Sequence, residues 1–185
     1  MERKVYLPRY EEVRIPLTAA HGGYLPDCRA DLHYGDFSDI VVEELAALGA
    51  SEVLLDLDGT LTAQRASRIS LPKTTSDKIE EINAHERLRI RGLATENMAY
   101  PEDLLSVVGL EPTTFVFQPF GRSRGNEAKT KITKAFWLKI LFELDCLDSP
   151  SEVVMIGDSL ARDIKPSQDL GFRTVLVDRL VNRPL

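Results

Sequence analysis

The chain has 185 residues, with 23 Lys+Arg against 29 Asp+Glu, a net charge of −6, 43% hydrophobic and 28% charged residues. That mixture fits one globular domain and excludes collagen-like, coiled-coil and low-complexity classes. The acidic balance argues against a dedicated nucleic-acid or anionic-membrane binder, and no apolar run approaches the roughly 20 residues of a membrane span.

Residues 1–37 carry the breakers Pro8, Pro16, Pro26 and Gly22-Gly23. They read as an irregular extension packed on the core of a single domain spanning 1–185. The opening MERKVYLPRYEEVRIP is charged and lacks a signal-peptide apolar stretch, so a cytoplasmic location is expected. In SDIVVEELAALGAS, Ser38 reads as an N-cap and Gly49 as a helix stop. The apolar run VLLDL at 53–57 suits a parallel strand covered on both faces.

Strands and helices then alternate. Helix is expected at 76–86, strand at 87–94, helix at 101–108 opening on Pro101, and strand at 114–118. A long helix is expected at 131–145, strand at 152–157, helix at 160–169 and strand at 172–178. Arg89 and Arg91 alternate with apolar neighbours, which reads as a strand with one partly exposed face. The whole is an α/β fold, a doubly wound parallel sheet flanked by helices. In such sheets ligands bind beyond the carboxyl ends of the strands, at the switch in strand order.

Polar residues collect at those ends. Asp56 and Asp58 stand two apart in DLDGTL, a spacing that on an extended strand aims both to one side. Adjacent carboxylates repel, so they need a cation or a proton. A divalent ion with a phosphate-bearing substrate would supply that balance; an acidic strand-end turn is the plain alternative. In GDSLARD, Asp158 and Asp163 follow another apolar strand, and carboxylate oxygens are what Mg²⁺ prefers. There the alternative is a helix N-cap by Asp158 or Ser159. The histidines His21, His33 and His85 lack metal-ligand spacing, and Cys28 and Cys146 read as packing residues.

The order and spacing of VLLDLDGTL, LATEN, a lysine near 131 and VVMIGDSLARD resemble the haloacid dehalogenase (HAD) superfamily. The resemblance covers 53 to about 178, with the first and fourth motifs the specific ones. It implies a Rossmann-like core and a Mg²⁺-dependent phosphomonoester hydrolase working through an aspartyl-phosphate. By resemblance Asp56 is the nucleophile and Asp58 the general acid and base. Mg²⁺ would sit on the Asp56 and Asp158 side chains and the Asp58 carbonyl, and Thr95 would hydrogen-bond phosphate. Asp163 would orient the motif lysine or the metal's waters. Aligning WLKILFEL with the family's apolar helix makes that lysine Lys131, with Lys129 as the alternative; the proline that often follows it in relatives is missing. Glu96 stands where relatives often carry asparagine, and Asn97 is a phosphate contact or a helix cap.

Neither 59–94 nor 96–130 is long enough for a cap domain beside its βα unit. The resemblance therefore implies an open site for a large or lipid-type phosphate ester, or one closed by a second copy of the chain. The loop GRSRGNEAK, with Arg122 and Arg124, reads as an anion-gathering lid or a solvated loop. Among cap-less relatives the likeness is to the YqeG-like group, which includes phosphatidylglycerophosphate phosphatases; such a substrate would bring the protein to the membrane surface. A phosphotransferase or nucleotidase of the same superfamily is the alternative within enzymes, and a non-catalytic binding scaffold the alternative outside them.

Overall fold

Six parallel strands carry the fold, in the order β2-β7-β6-β3-β4-β5. The structure is a computed structural model and describes residues 10–15, 28–63, 71–95, 104–118 and 131–184. In chain order the strands of this sheet are β2 (Leu32–Tyr34), β3 (Glu52–Asp56), β4 (Arg89–Ala94), β5 (Phe115–Phe117), β6 (Val153–Gly157) and β7 (Arg173–Val177). Helices α1 (Val42–Ala47), α2 (Lys73–Ala84), α3 (Leu104–Val107), α4 (Lys134–Glu143) and α5 (Lys165–Gln168) connect them. Two further strands, β1 (Tyr10–Ile15) and β8 (Arg179–Pro184), form a separate antiparallel ribbon.

The expected doubly wound sheet is what the chain builds. From β3 the chain moves outward through β4 to β5, then returns to the other side of β3 with β6 and continues to β7. The reversal falls between β3 and β6, which places the ligand crevice beyond Asp56 and Gly157.

Strand alternation divides the core into two layers. Val53 and Leu55 join Ile79, Ile82 and Leu45 on one face, while Leu54 and Met155 join Trp137, Ile140 and Phe172 on the other. Burial of both faces explains why β3 and β6 are nearly continuous apolar runs. Gly92 lies where neighbouring strands crowd: a Cβ there would stand 2.5 Å from a Leu54 methyl and 2.7 Å from the Phe117 ring.

Several expectations need correction. Residues 1–37 are not wholly irregular, since β1 and β2 lie within them. Ser38 is not the cap of α1. It belongs to a 3-10 turn, Phe37–Asp39, whose N-cap Asp36 accepts the Ser38 N–H at 2.8 Å. α1 begins only at Val42 and stops near Gly49, at φ 82°. α2 begins earlier than expected, directly after Pro72. α4 begins at Lys134, which leaves Lys131 on the preceding turn. The helix expected from 160 opens as a π-helical turn, Leu160–Ile164, before α5.

The misfit strand is as read: Arg89 is exposed and Arg91 half-buried at its entry end. Cys28 and Cys146 are both buried, and burial pushes both thiols up. Among the described residues no helix is long and apolar enough to cross a membrane. Pro101, His21, Arg122 and Arg124 lie outside the described residues.

Candidate active site

Asp56 ends β3 and is buried, 3% exposed. It shares the strand parity of Leu54, so the pleat turns it toward the layer that holds α4. From that layer comes Lys131, 2% exposed, whose Nζ donates to Asp56 Oδ1 and, at 3.0 Å, to Asp163 Oδ1. Thr60 Oγ1 donates to the other Asp56 oxygen at 2.8 Å.

Lys131 reaches this position because its turn is pinned from behind. The Trp137 indole N–H donates to the Lys131 carbonyl. Trp137 is fully buried and packs edge-on against Phe136 and Phe172, with ring centroids 5.3 and 5.7 Å away. The six-residue spacing from Lys131 to Trp137 is therefore a physical link. Lys129 lies outside the described residues.

Asp163 is delivered by the π turn. The N–H groups of Asp163 and Ile164 both donate to the Ser159 carbonyl, at 2.9 and 3.1 Å, so the chain widens by one residue there. Asp163 Oδ2 accepts the Ser159 N–H at 3.1 Å in return. A Cβ on Gly157 would stand 2.6 Å from Asp163 Cβ, so a side chain at 157 would push the acid away. Ser159 holds the N-cap position without a side-chain cap bond.

Asp158, 3% exposed, accepts from Arg179 Nε through Oδ2. Gly59 turns at φ 96°, a conformation that favours glycine, and its missing Cβ leaves room for Asp158: the added carbon would lie 2.6 Å from Oδ2. The Gly59 carbonyl accepts the Leu180 N–H at 2.7 Å. Asp58 is half-buried, and its Oδ2 accepts from Thr95 Oγ1 at 2.9 Å. Asn97 and Glu96 lie outside the described residues.

The electrostatics follow from this crowding. Burial, then the Asp163 and Asp158 charges, push Asp56 well above the ordinary carboxylate range against the pull of Lys131. Burial and Asp163 raise Asp158 to about 6 despite Arg179. Burial alone would lower Lys131, but Asp163 and Asp56 outweigh it and hold the ammonium firmly charged.

Asp56, Asp158 and Asp163 each offer an oxygen, all within 4.8 Å of one another. Three buried acids so placed fit a hard divalent cation, which would relieve the repulsion that raises Asp56 and Asp158. Sequence reading missed Thr60 and Arg179. Thr60 lies inside the DLDGTL motif as a plain turn residue. Arg179 follows β7, and a survey of polar residues after every strand end would have found it.

The fold is a doubly wound α/β sheet with a buried acidic centre at its strand switch. Residues 130–184 match the family model described as HAD-hydrolase-like, a segment that carries Lys131, Asp158 and Asp163. Proteins of this family are generally hydrolases, mostly phosphatases. No curated protein matches the chain. Among solved structures it is similar to an uncharacterized protein from Listeria monocytogenes serotype 4b, with 16% identity and a TM-score of 0.55. That similarity covers 68% of this chain and 77% of the other, and it concerns the fold alone.

Proposed function

We propose that this chain is a Mg²⁺-dependent phosphomonoester hydrolase that passes the phosphoryl group through Asp56. The observation that carries the reading is the buried Asp56 carboxylate, held by Lys131 on one oxygen and Thr60 on the other, beside Asp158. When bound, Mg²⁺ would be held by the Asp56 and Asp158 side chains and the Asp58 carbonyl, and would supply positive charge to the transferring group.

The Asp56 carboxylate attacks phosphorus while the bond to the ester oxygen breaks. Protonated Asp58 gives its proton to that leaving oxygen. Ionised Asp58 then takes a proton from the water that attacks the aspartyl-phosphate, releasing inorganic phosphate and restoring Asp56. Lys131 offsets charge on the nucleophile and the phosphoryl oxygens throughout. The Thr95 hydroxyl, which donates to Asp58 here, would turn its single O–H to a phosphate oxygen when substrate binds, and Asp163 positions Lys131.

Between Asp58 and Thr95 the described chain after residue 71 goes into α2 and β4. That supports a site without a cap inserted there, suited to a large phosphate ester, lipid-type esters included. The test is phosphate release from a panel of phosphorylated metabolites, a phospholipid monoester and a chromogenic aryl phosphate, with and without Mg²⁺. Asp56→Asn keeps the shape but removes the nucleophile, and should lower turnover by about a thousandfold or more. A variant retaining a tenth of wild-type activity would refute the assignment.

A further inference from the structure

Among the described residues, Lys131 and Arg179 serve the three buried acids, and they are held in different ways. Lys131 is enclosed: its side chain is 3% exposed and it bridges Asp56 and Asp163. Arg179 is anchored by its backbone and open at its side chain. Its backbone is fixed on one side by the pairing of β8 with β1, where Arg179 stands opposite Ile15. On the other side the next residue, Leu180, donates its N–H to the Gly59 carbonyl. The Arg179 side chain is 25% exposed, whereas its partner Asp158 is 4% exposed. The Arg179 side chain therefore reaches solvent, and that of Lys131 does not.

Asp158 has little freedom to serve two cations at once. Its carboxylate is packed close against Gly59, with a Cβ there 2.6 Å from Oδ2 and 3.3 Å from Oδ1. Oδ2 already accepts from Arg179. A divalent ion on this carboxylate would stand beside the guanidinium, and like charges at that range repel strongly in a buried site.

We propose that Arg179 is an exchangeable counter-cation that occupies Asp158 until a divalent ion displaces it. Metal uptake is then coupled to release of the Arg179 side chain into solvent, while its backbone stays fixed by the β1–β8 ribbon and Gly59. The arginine lowers the site's affinity for metal and keeps the metal-free site from holding an uncompensated acid. Once freed at the rim, the guanidinium is available to an anionic substrate. This inference rests on the reading of Asp158 as a metal ligand.

The experiment is calorimetric titration of Mg²⁺ into the metal-stripped full-length protein, without substrate, for wild type, Arg179→Gln, Arg179→Lys and Asp158→Asn. Arg179→Gln should bind Mg²⁺ at least about tenfold more tightly than wild type, because a repelling charge has been removed. Arg179→Lys keeps the charge but not the planar fork, and should bind about two- to threefold more tightly. It also serves if the glutamine variant does not fold. In wild type, Mg²⁺ should shift the arginine Nε–H resonance of residue 179 and speed its exchange with water.

If wild type binds Mg²⁺, Asp158→Asn loses binding, and both arginine variants match wild type or bind more weakly, Arg179 is a fixed strut and only this inference falls. If neither wild type nor Arg179→Gln binds Mg²⁺, the metal reading under the proposed function falls with it. Tight binding by Arg179→Gln where wild type binds poorly would be the strongest support.

Discussion

Strand β3 begins on Glu52 and ends on Asp56, and the two ends treat their carboxylates differently. At the start, Glu52 faces Arg91 at 3.7 Å, with side chains 18% and 38% exposed. That distance is too long for a hydrogen bond, and Arg91 also lies over the Phe115 ring, 6.0 Å from its centroid. At the other end Asp56, Asp158 and Asp163 are buried and held by donors at short range. Both ends contain an acid and an arginine. At the Glu52 end one acid faces a partly exposed arginine; at the Asp56 end three acids are buried together, and there ionic charge is costly to hold and consequential to disturb. Parallel strands aim their carboxyl ends the same way, so the acids of β3 and β6 and the threonine after β4 collect at one rim.

The largest expected difference between the ends comes from Lys131. Removing it leaves Asp56 and Asp163 buried without their shared cation, so Lys131→Ala should cost about 3–5 kcal/mol of stability in chelator. It should also lower kcat by about a hundredfold or more. Exposed Lys134, three residues on, should give less than about 0.5 kcal/mol and under tenfold when changed to alanine. Urea melts and steady-state kinetics on the two variants decide it. Equal effects would mean that Lys131 is a solvated lysine after all.

The next effect is one of pH. Asp158 is raised from 3.8 to about 6, so the folded state holds its proton more tightly than the unfolded chain. Its stabilising contribution is present below about pH 3.8 and is lost as pH rises through about 6. Mg²⁺ needs the ionised form, so its stabilisation should grow over the same window. Thermal melts with and without Mg²⁺ should show a larger shift at pH 7.5 than at pH 5. A shift independent of pH would count against Asp158 as a ligand.

Smaller again is Trp137→Phe, which keeps an aromatic ring but deletes the N–H that holds the Lys131 carbonyl. A loss of about 1 kcal/mol is expected from that bond, with a fall in kcat and little change in KM. The smallest is Glu52→Gln at the start of β3, expected within about 1 kcal/mol and without effect on turnover. A large loss there would erase the contrast between the two ends.

Much of this contrast is legible in the sequence, because β3 and β6 announce themselves as apolar runs and their acids follow directly. The lysine is legible through the spacing to Trp137, although the reason for that spacing is a hydrogen bond that no pattern displays. What stays hidden is non-local. YEEVRI and RLVNRP carry no signal that they pair, since each completes its hydrogen bonds only on the distant other. The position of Arg179 after β7 can be read from the sequence, but its partner Asp158 cannot, since that pairing depends on where the ribbon starts. The π turn is hidden too, because its extra residue is set by the demand to place Asp163 over Gly157 rather than by helix propensity.

The link between Lys131 and Asp56 spans 75 residues of chain, and its consequence lies in the order of assembly. A growing chain that has made β3 and β4 owns an acid at the end of its central strand and no partner with which to bury it. Until α4 and β6 exist, water must keep that end of the sheet open. Contacts this distant in sequence close slowly. On this order of assembly the nascent protein passes through a stage in which Asp56 is solvated. Under the proposed function, the cation that permits burial of Asp56 is also the one that would assist phosphoryl transfer, so both arrive in one event.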